Sequence, residues 1–394
     1  NDVALTTAVN GAVDLYFDNT KRAETTNTGF NVVGALTVNG SAVGGGGVDS
    51  DAQKNTVGGT NAGDSFTGTD ANENTLFGYD AGTAITSGDW NTAIGSYAGA
   101  AFTTAESCTA IGSDALKENT TSGNCTAVGR KSLEKTTGPA NTALGNNSGR
   151  YMTSGGNCTF IGKDAGKGAD GSCTGGNNTA VGALDRYTTG DKNVTVGTTS
   201  LWFLTEGSKN SALGYNAGRD ITTGDNNLCL GNEAGRSGSP SGSITTASST
   251  VCLGDNNIHS LYCAVNTIQT SDKRDKTDVT DFTHGLKWIN QLRPVTYRWD
   301  RRSWYNEYND DGSIKSTATP DGSKKRARQH LGFLAQDVLA VEQSDGYASK
   351  KDDMLVVNLN EDDTGYGLMY DRLIPVLVNA VKELSAKVEA LEAK

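Results

Sequence analysis

A serine followed five residues later by a lysine, within Ser271-Asp272-Lys273-Arg274-Asp275-Lys276, is the spacing in this chain that most suggests chemistry. A serine hydroxyl is a poor nucleophile until a neighbour takes its proton, and a lysine can take it only when neutral. Burial and nearby cations favour the neutral amine, and Lys273 and Arg274 are the cations at hand. Asp272, Asp275 and Asp278 oppose them, because a carboxylate beside Lys276 would hold it charged. The residue types alone also admit an inert reading, in which Ser271 caps a turn or helix and Lys276 is solvated.

Other chemistry finds less support. The three histidines, His259, His284 and His330, have no metal-ligand spacing and are expected to be structural. Asn309-Asp310-Asp311-Gly312 lacks the downstream Glu of a calcium loop, and Pro320-Asp321-Gly322 is turn chemistry. Neither a metal nor a cofactor is expected. The acids at Asp80, Asp89, Asp114, Asp164, Asp185 and Glu233 are scattered without forming the carboxylate pair of a glycosidase.

The elements around the Ser-Lys spacing come from two kinds of sequence. The 394 residues include 50 Gly and 5 Pro and are 35% hydrophobic, too weakly apolar for one thick-cored fold. Residues 1–270 hold 43 of the glycines with 15 basic and 24 acidic residues, whereas 271–394 hold 7 glycines with 19 basic and 21 acidic. The net charge of −11 disfavours nucleic acid as a partner. No apolar run approaches the ~20 residues of a membrane span, so membrane insertion is not expected. The first residue, Asn1, carries no signal pattern, and the chain reads as starting inside a longer gene product.

One phrase, of the form NTAIG, recurs through the first part and closes on Gly78, Gly95, Gly112, Gly129, Gly145, Gly162, Gly182, Gly197, Gly214, Gly231 and Gly254. Most intervals are 16 or 17 residues, which marks a repeat architecture. Each unit reads as a short strand holding a small or apolar pair (Ala93 and Ile94, Ala127 and Val128, Ala212 and Leu213), then a turn at the Gly, then a second turn at TTG or TSG. A unit this small cannot bury a face alone, so the units must stack, one rung about every 4.8 Å. The apolar pair implies a thin core that neighbouring chains complete. Whether each chain winds its own solenoid or three chains intertwine is left open by the pattern. The resulting surface is either a receptor- or glycan-binding face or a spacer. The off-register aromatics Tyr79, Trp90, Tyr97, Trp202 and Tyr215 suit sugar stacking and interface packing equally.

Cys108, Cys125 and Cys158 fall four residues before a repeat Gly, where Asn stands in most units, and Cys229 and Cys252 fall two before it. Seven cysteines without a CxxC pair are expected to be buried reduced thiols, with Cys108 and Cys125 the pair worth testing as a bridge. At the other end, Leu377, Val381, Leu384, Val388 and Leu391 alternate by four and three along a helix spanning Asp371 to Lys394. That spacing is a coiled-coil seam, or the buried face of an amphipathic helix on its own domain.

Two stretches resemble known families. Residues 11–40, which read as alternating strands (Ala12–Phe17, Phe30–Val33) broken by Asn-Thr and Thr-Gly turns and carry Leu15-Tyr16-Phe17-Asp18, resemble a phrase common in bacteriophage tail fibres, and Ser41–Val48 reads as a Gly-rich linker after it. Ser271–Lys276, Leu292-Arg293-Pro294-Val295-Thr296-Tyr297, Gly332-Phe333-Leu334-Ala335-Gln336-Asp337-Val338 and Tyr370–Leu377 occur in the order of the intramolecular chaperone, or S74 peptidase, domain of phage tailspikes and fibres. The resemblance implies a trimeric folding clamp that releases itself by cutting Thr270–Ser271, with Ser271 as nucleophile and Lys276 as general base.

The expectations are therefore a mainly β, trimeric fibre. Residues 1–50 form a fibre segment and linker, 51–270 a β-solenoid-like or intertwined triple β-helix repeat region, and 271–394 an α+β chaperone autoprotease ending in a coiled-coil helix. The expected function is that of a distal tail fibre that binds a host cell-surface receptor of glycan type. Its partners would be two further copies of itself and tail proteins upstream of residue 1, and its location the virion after assembly in the host cytoplasm. Two rivals are a tailspike depolymerase acting on capsule polysaccharide and a trimeric bacterial adhesin, whose NSxAIG-like repeats resemble these but which ends in a membrane anchor not read here. Register explains the need for a clamp: similar rungs slip at little cost, so a separately folding trimer must align the chains before the repeats zip together.

Overall fold

The computed structural model describes residues 3–7, 13–17, 20–26, 29–32, 36–38, 41–43, 49–66, 69–169, 173–182, 184–258, 260–262, 271–309 and 314–394. The chain forms two compact units, Asn1–Thr174 and Gly175–Lys394. Thr270, His259 and Cys263 lie outside the described residues.

In the first unit, Val3–Thr7, Val13–Phe17, Thr20–Thr26 and Gly29–Val32 form an antiparallel meander. Ser41–Val43 pairs antiparallel with Leu36–Val38, and the Gly-rich residues 44–48 lie outside the described residues. Thr56–Gly58, Thr75–Phe77, Thr92–Ile94, Thr109–Ile111, Thr126–Val128, Thr142–Leu144 and Thr159–Ile161 then stack in parallel, each in register with the next. The second unit repeats the arrangement with Thr179–Val181, Val194–Val196, Ser211–Leu213, Leu228–Leu230 and Val251–Leu253. The repeat is thus a β-solenoid of roughly 17-residue coils.

Strand alternation corrects the reading of the apolar pair. In a three-residue strand the centre points one way and its neighbours the other. Ala93, Ala110, Ala127 and Ala143 are therefore fully buried, while Ile94, Ile111, Leu144 and Ile161 stand 37–49% exposed. The coil finds its other core residues in the turns. Small residues three past the repeat Gly (Ala81, Ala98, Ala115) and larger ones seven past it (Ile85, Phe102, Met152) are buried, and Ala217, Leu204 and Ile221 do the same in the second unit. The core is thus thicker than the strand phrase implies, and the outward row of Ile and Leu is left partly exposed.

A second ladder runs inside the coils. Asn55, Asn74 and Asn91, and separately Asn178, Asn193, Asn210 and Asn227, stack at successive rungs. Each Oδ1 accepts the backbone N–H of the next rung, and each Nδ2 donates to a carbonyl in the following turn, as Asn210 does to Gly224 at 2.8 Å. Buried peptide groups that the coil would otherwise leave unpaired are thereby satisfied.

Residues 271–394 form the α+β part of the second unit. Helix α1 (Leu286–Gln291), helix α2 (Ala335–Ser344) and helix α3 (Leu373–Glu392) surround short antiparallel pairs, Val295–Tyr297 with His330–Gly332 and Val357–Leu359 with Tyr366–Leu368. Trp288, Val338, Val341, Val356, Val357, Leu373 and Val376 make its core. The carboxylate of Glu342, fully buried, accepts the N–H groups of Leu355, Val356 and Val357 at 2.8–2.9 Å and ties α2 to that strand.

Candidate active site and assembly surfaces

The Ser-Lys spacing is folded by a single 3₁₀ turn, Lys273–Asp275. Asp272 caps it by accepting the Arg274 N–H at 2.9 Å, and Lys276 leaves it in extended backbone, its own N–H bonded to the Lys273 carbonyl. One tight turn brings residues five apart to the same side, and Lys276 Nζ stands 2.6 Å from Ser271 Oγ. Residues 271–281 are all exposed, and partial cover begins at Phe282.

The charges around this pair are arranged differently from the sequence expectation. Arg274, counted there among the cations beside the lysine, is forked onto Asp272, with Nη2 to Oδ2 at 2.6 Å and Nε to Oδ1 at 3.1 Å. The hydrogen bonds from Arg274 hold the Asp272 carboxyl below its usual range. Asp272 is thus occupied, and among the described residues no carboxylate lies within ion-pair distance of Lys276. The short i,i+2 fork is set by the turn, which sequence spacing does not display.

Elsewhere in the C-terminal part, His284 and Trp288 stack at 5.4 Å and Phe282 and Tyr347 close the cluster edge-on. Asp345 sits at its rim, accepting from Lys287 and from the Trp288 indole N–H. Lys287, and then Trp288, hold the Asp345 carboxyl below its ordinary value. His330 stacks on Tyr297 at 5.6 Å. Both described histidines therefore have packing partners, and no group of three potential metal ligands occurs among the described residues.

The C-terminal part also grips the last coils. Ser243 N–H donates to Asp362 at 2.9 Å, Glu361 N–H to the Ser241 carbonyl at 2.9 Å, and Asn256 to Ser303 at 3.0 Å. Beside these contacts a cleft of about 610 Å³ is lined by Asn256, Ile258, Tyr262, Trp299, Arg301 and Arg328. Sequence reading missed this contact, since Asp362 and Ser243 lie 119 residues apart.

The heptad residues Leu377, Val381, Leu384, Val388 and Leu391 are 44–69% exposed along α3, while Leu373, Val376 and Ala380 on another face are buried against the same unit. The helix is packed by its first turns and leaves its heptad residues exposed. No described helix is long and apolar enough to cross a membrane. The eleven repeat glycines all have positive φ, from 68° at Gly254 to 138° at Gly78. Among the repeat acids, Asp89 accepts the Asn72 N–H at 2.7 Å and Asp164 the Asn147 amide at 2.9 Å, so both hold turns. Tyr79, Trp90 and Tyr215 are about half exposed.

Residues 271–347 match the family model described as Peptidase_S74, chaperone of endosialidase, and the match begins at Ser271. It implies an autoproteolytic intramolecular chaperone at the C-terminus, following a β-solenoid of the kind that suits a tail fibre or tailspike. Comparison with curated proteins and with solved structures returns no match.

Proposed function

We propose that the chain is a bacteriophage tail fibre or tailspike subunit whose C-terminal domain trimerises it, aligns the repeats and then cleaves Thr270–Ser271. The carrying observation is the 2.6 Å approach of Lys276 Nζ to Ser271 Oγ at the first residue of the chaperone match. In this reading neutral Lys276 takes the Oγ proton as Oγ bonds to the Thr270 carbonyl carbon. The C–N bond to Ser271 breaks, the proton passes to the leaving nitrogen, and water hydrolyses the ester. The exposure of the pair in one chain supports assembly gating, because a solvated lysine is a poor base and a neighbouring chain is what would bury it.

Two features support the trimer. The α3 seam is open, and the outward Ile and Leu row gives further apolar surface for copies to share. Cleavage would cut the chain while the Ser243–Asp362 and Ser241–Glu361 contacts remain, so release follows by dissociation. The mature repeats would then present a receptor-binding surface, with host glycan as ligand, in the virion.

The test is intact mass of the full chain with its Ser271→Ala and Lys276→Ala variants, alongside native mass. Wild type is expected to yield a new N-terminus at Ser271 and a trimer of shortened chains. Cleavage at Ser271 in either variant refutes the dyad, and a stable wild-type monomer refutes the assembly scheme.

A further inference from the structure

Cysteine replaces asparagine at two successive rungs of the buried ladder. Cys108 and Cys125 immediately precede the register partners Thr109 and Thr126, so they stack at the spacing of neighbouring strands, about 4.8 Å. That separation lies within the Cα distance a disulfide accepts. Both are buried, at 1% and 0% exposure. Cys108 Sγ reaches the Ser122 carbonyl at 3.3 Å and Cys125 Sγ the Gly138 carbonyl at 3.5 Å.

The two sulfurs are not equivalent. The Cys108 thiol, together with the backbone N–H groups of Asn141 and Ala140, favours the thiolate at Cys125 and brings it down to about 7. Cys108 is pushed up, first by its hydrogen bond with Cys125 and then by burial. Two thiols thus sit side by side at a separation that a bridge can span.

We infer that Cys108 and Cys125 are a redox pair which a low-molecular-weight disulfide closes into a bridge between two successive coils. The Cys125 thiolate attacks one sulfur of the oxidant, whose S–S bond breaks and releases one thiolate. Cys108 then loses its proton and attacks Cys125 Sγ, expelling the second thiolate. Two protein thiols are oxidised and one small disulfide is reduced to two thiols, so electrons and atoms balance. The bridge would pin the register of two coils that otherwise resemble one another. Cys229 and Cys252 are an internal comparison: they are direct register partners and buried, but burial, and then Cys252, push Cys229 up to about 12.

The experiment exposes the full chain to oxidised glutathione, in buffer and in sub-denaturing urea, then unfolds it, alkylates it and maps its peptides by mass. A peptide joining Cys108 to Cys125, reversible by reductant and formed faster than any joining Cys229 to Cys252, is expected. Cys108→Asn and Cys125→Asn restore the ladder's usual residue and so preserve the coil. Either variant, lacking the second thiol, should carry at most one glutathionyl group and form no bridge between the two coils. Both thiols remaining alkylatable under both conditions overturns the inference, as does a bridge at Cys229–Cys252 forming equally fast.

Discussion

Asn210 hangs from Asn193: its backbone N–H and its Nδ2 both donate to the Asn193 Oδ1, at 2.9 and 3.2 Å, while its own Oδ1 receives the same pair of bonds from Asn227. Each carboxamide therefore holds two rungs together inside the solenoid. Asn210→Leu would leave the Asn227 N–H and the Gly224 carbonyl buried without partners. Each such loss costs about 1–3 kcal/mol, so the variant should unfold several degrees below wild type in calorimetry. An unchanged midpoint would show that the ladder is not a source of stability.

Gly112 lies beneath the next coil's turn. Its φ is +126°, and a Cβ placed there would stand 2.7 Å from both the carbonyl carbon and oxygen of Gly129. Both backbone strain and a backbone clash oppose substitution, each of order 1–3 kcal/mol. Gly112→Ala should lose about 3 kcal/mol, or fail to form soluble solenoid, whereas Lys163→Ala, on an exposed side chain, should be neutral.

Asp345 links acid sensitivity to the chaperone core. Its folded carboxyl is held low, first by Lys287 and then by the Trp288 indole. A lowered folded pKa stabilises above the ordinary carboxyl value of about 4 and ceases to do so as pH falls through the folded value. The Tm difference between wild type and Asp345→Asn should therefore be greatest near pH 6 and shrink below about pH 4. A difference independent of pH would assign the role of Asp345 to hydrogen bonding alone.

The open seam of α3 predicts a separation of folding from assembly. Val381 and Leu384 are 65% and 52% exposed, so replacing both by Asp leaves the buried face of the helix intact. If the seam joins chains, Val381→Asp/Leu384→Asp should keep the helical circular dichroism of the C-terminal part yet shift sedimentation from trimer to monomer. Retained trimers would place the interface elsewhere. Cleavage at Ser271 should fall with the loss of assembly.

The 17-residue period, the positive-φ glycines of the turns, the chaperone motifs and the Ser271–Lys276 spacing were all legible in the sequence, because each depends on residues close together in the chain. Even there, locality had limits. The Ala-Ile pair looked like one apolar unit, and only strand alternation sends Ala93 inward and Ile94 out. The carboxylates near Lys276 looked like competitors until the 3₁₀ turn forked Arg274 onto Asp272. What the tertiary structure alone decided are contacts between coils and across long stretches of chain: the asparagine ladder, the buried residues seven past each glycine, Glu342 under three N–H groups, and Asp362 on Ser243. Such contacts depend on what the next coil or a remote loop places opposite a side chain. A period can announce that coils stack, but only the stacked chain reveals which atoms then face each other.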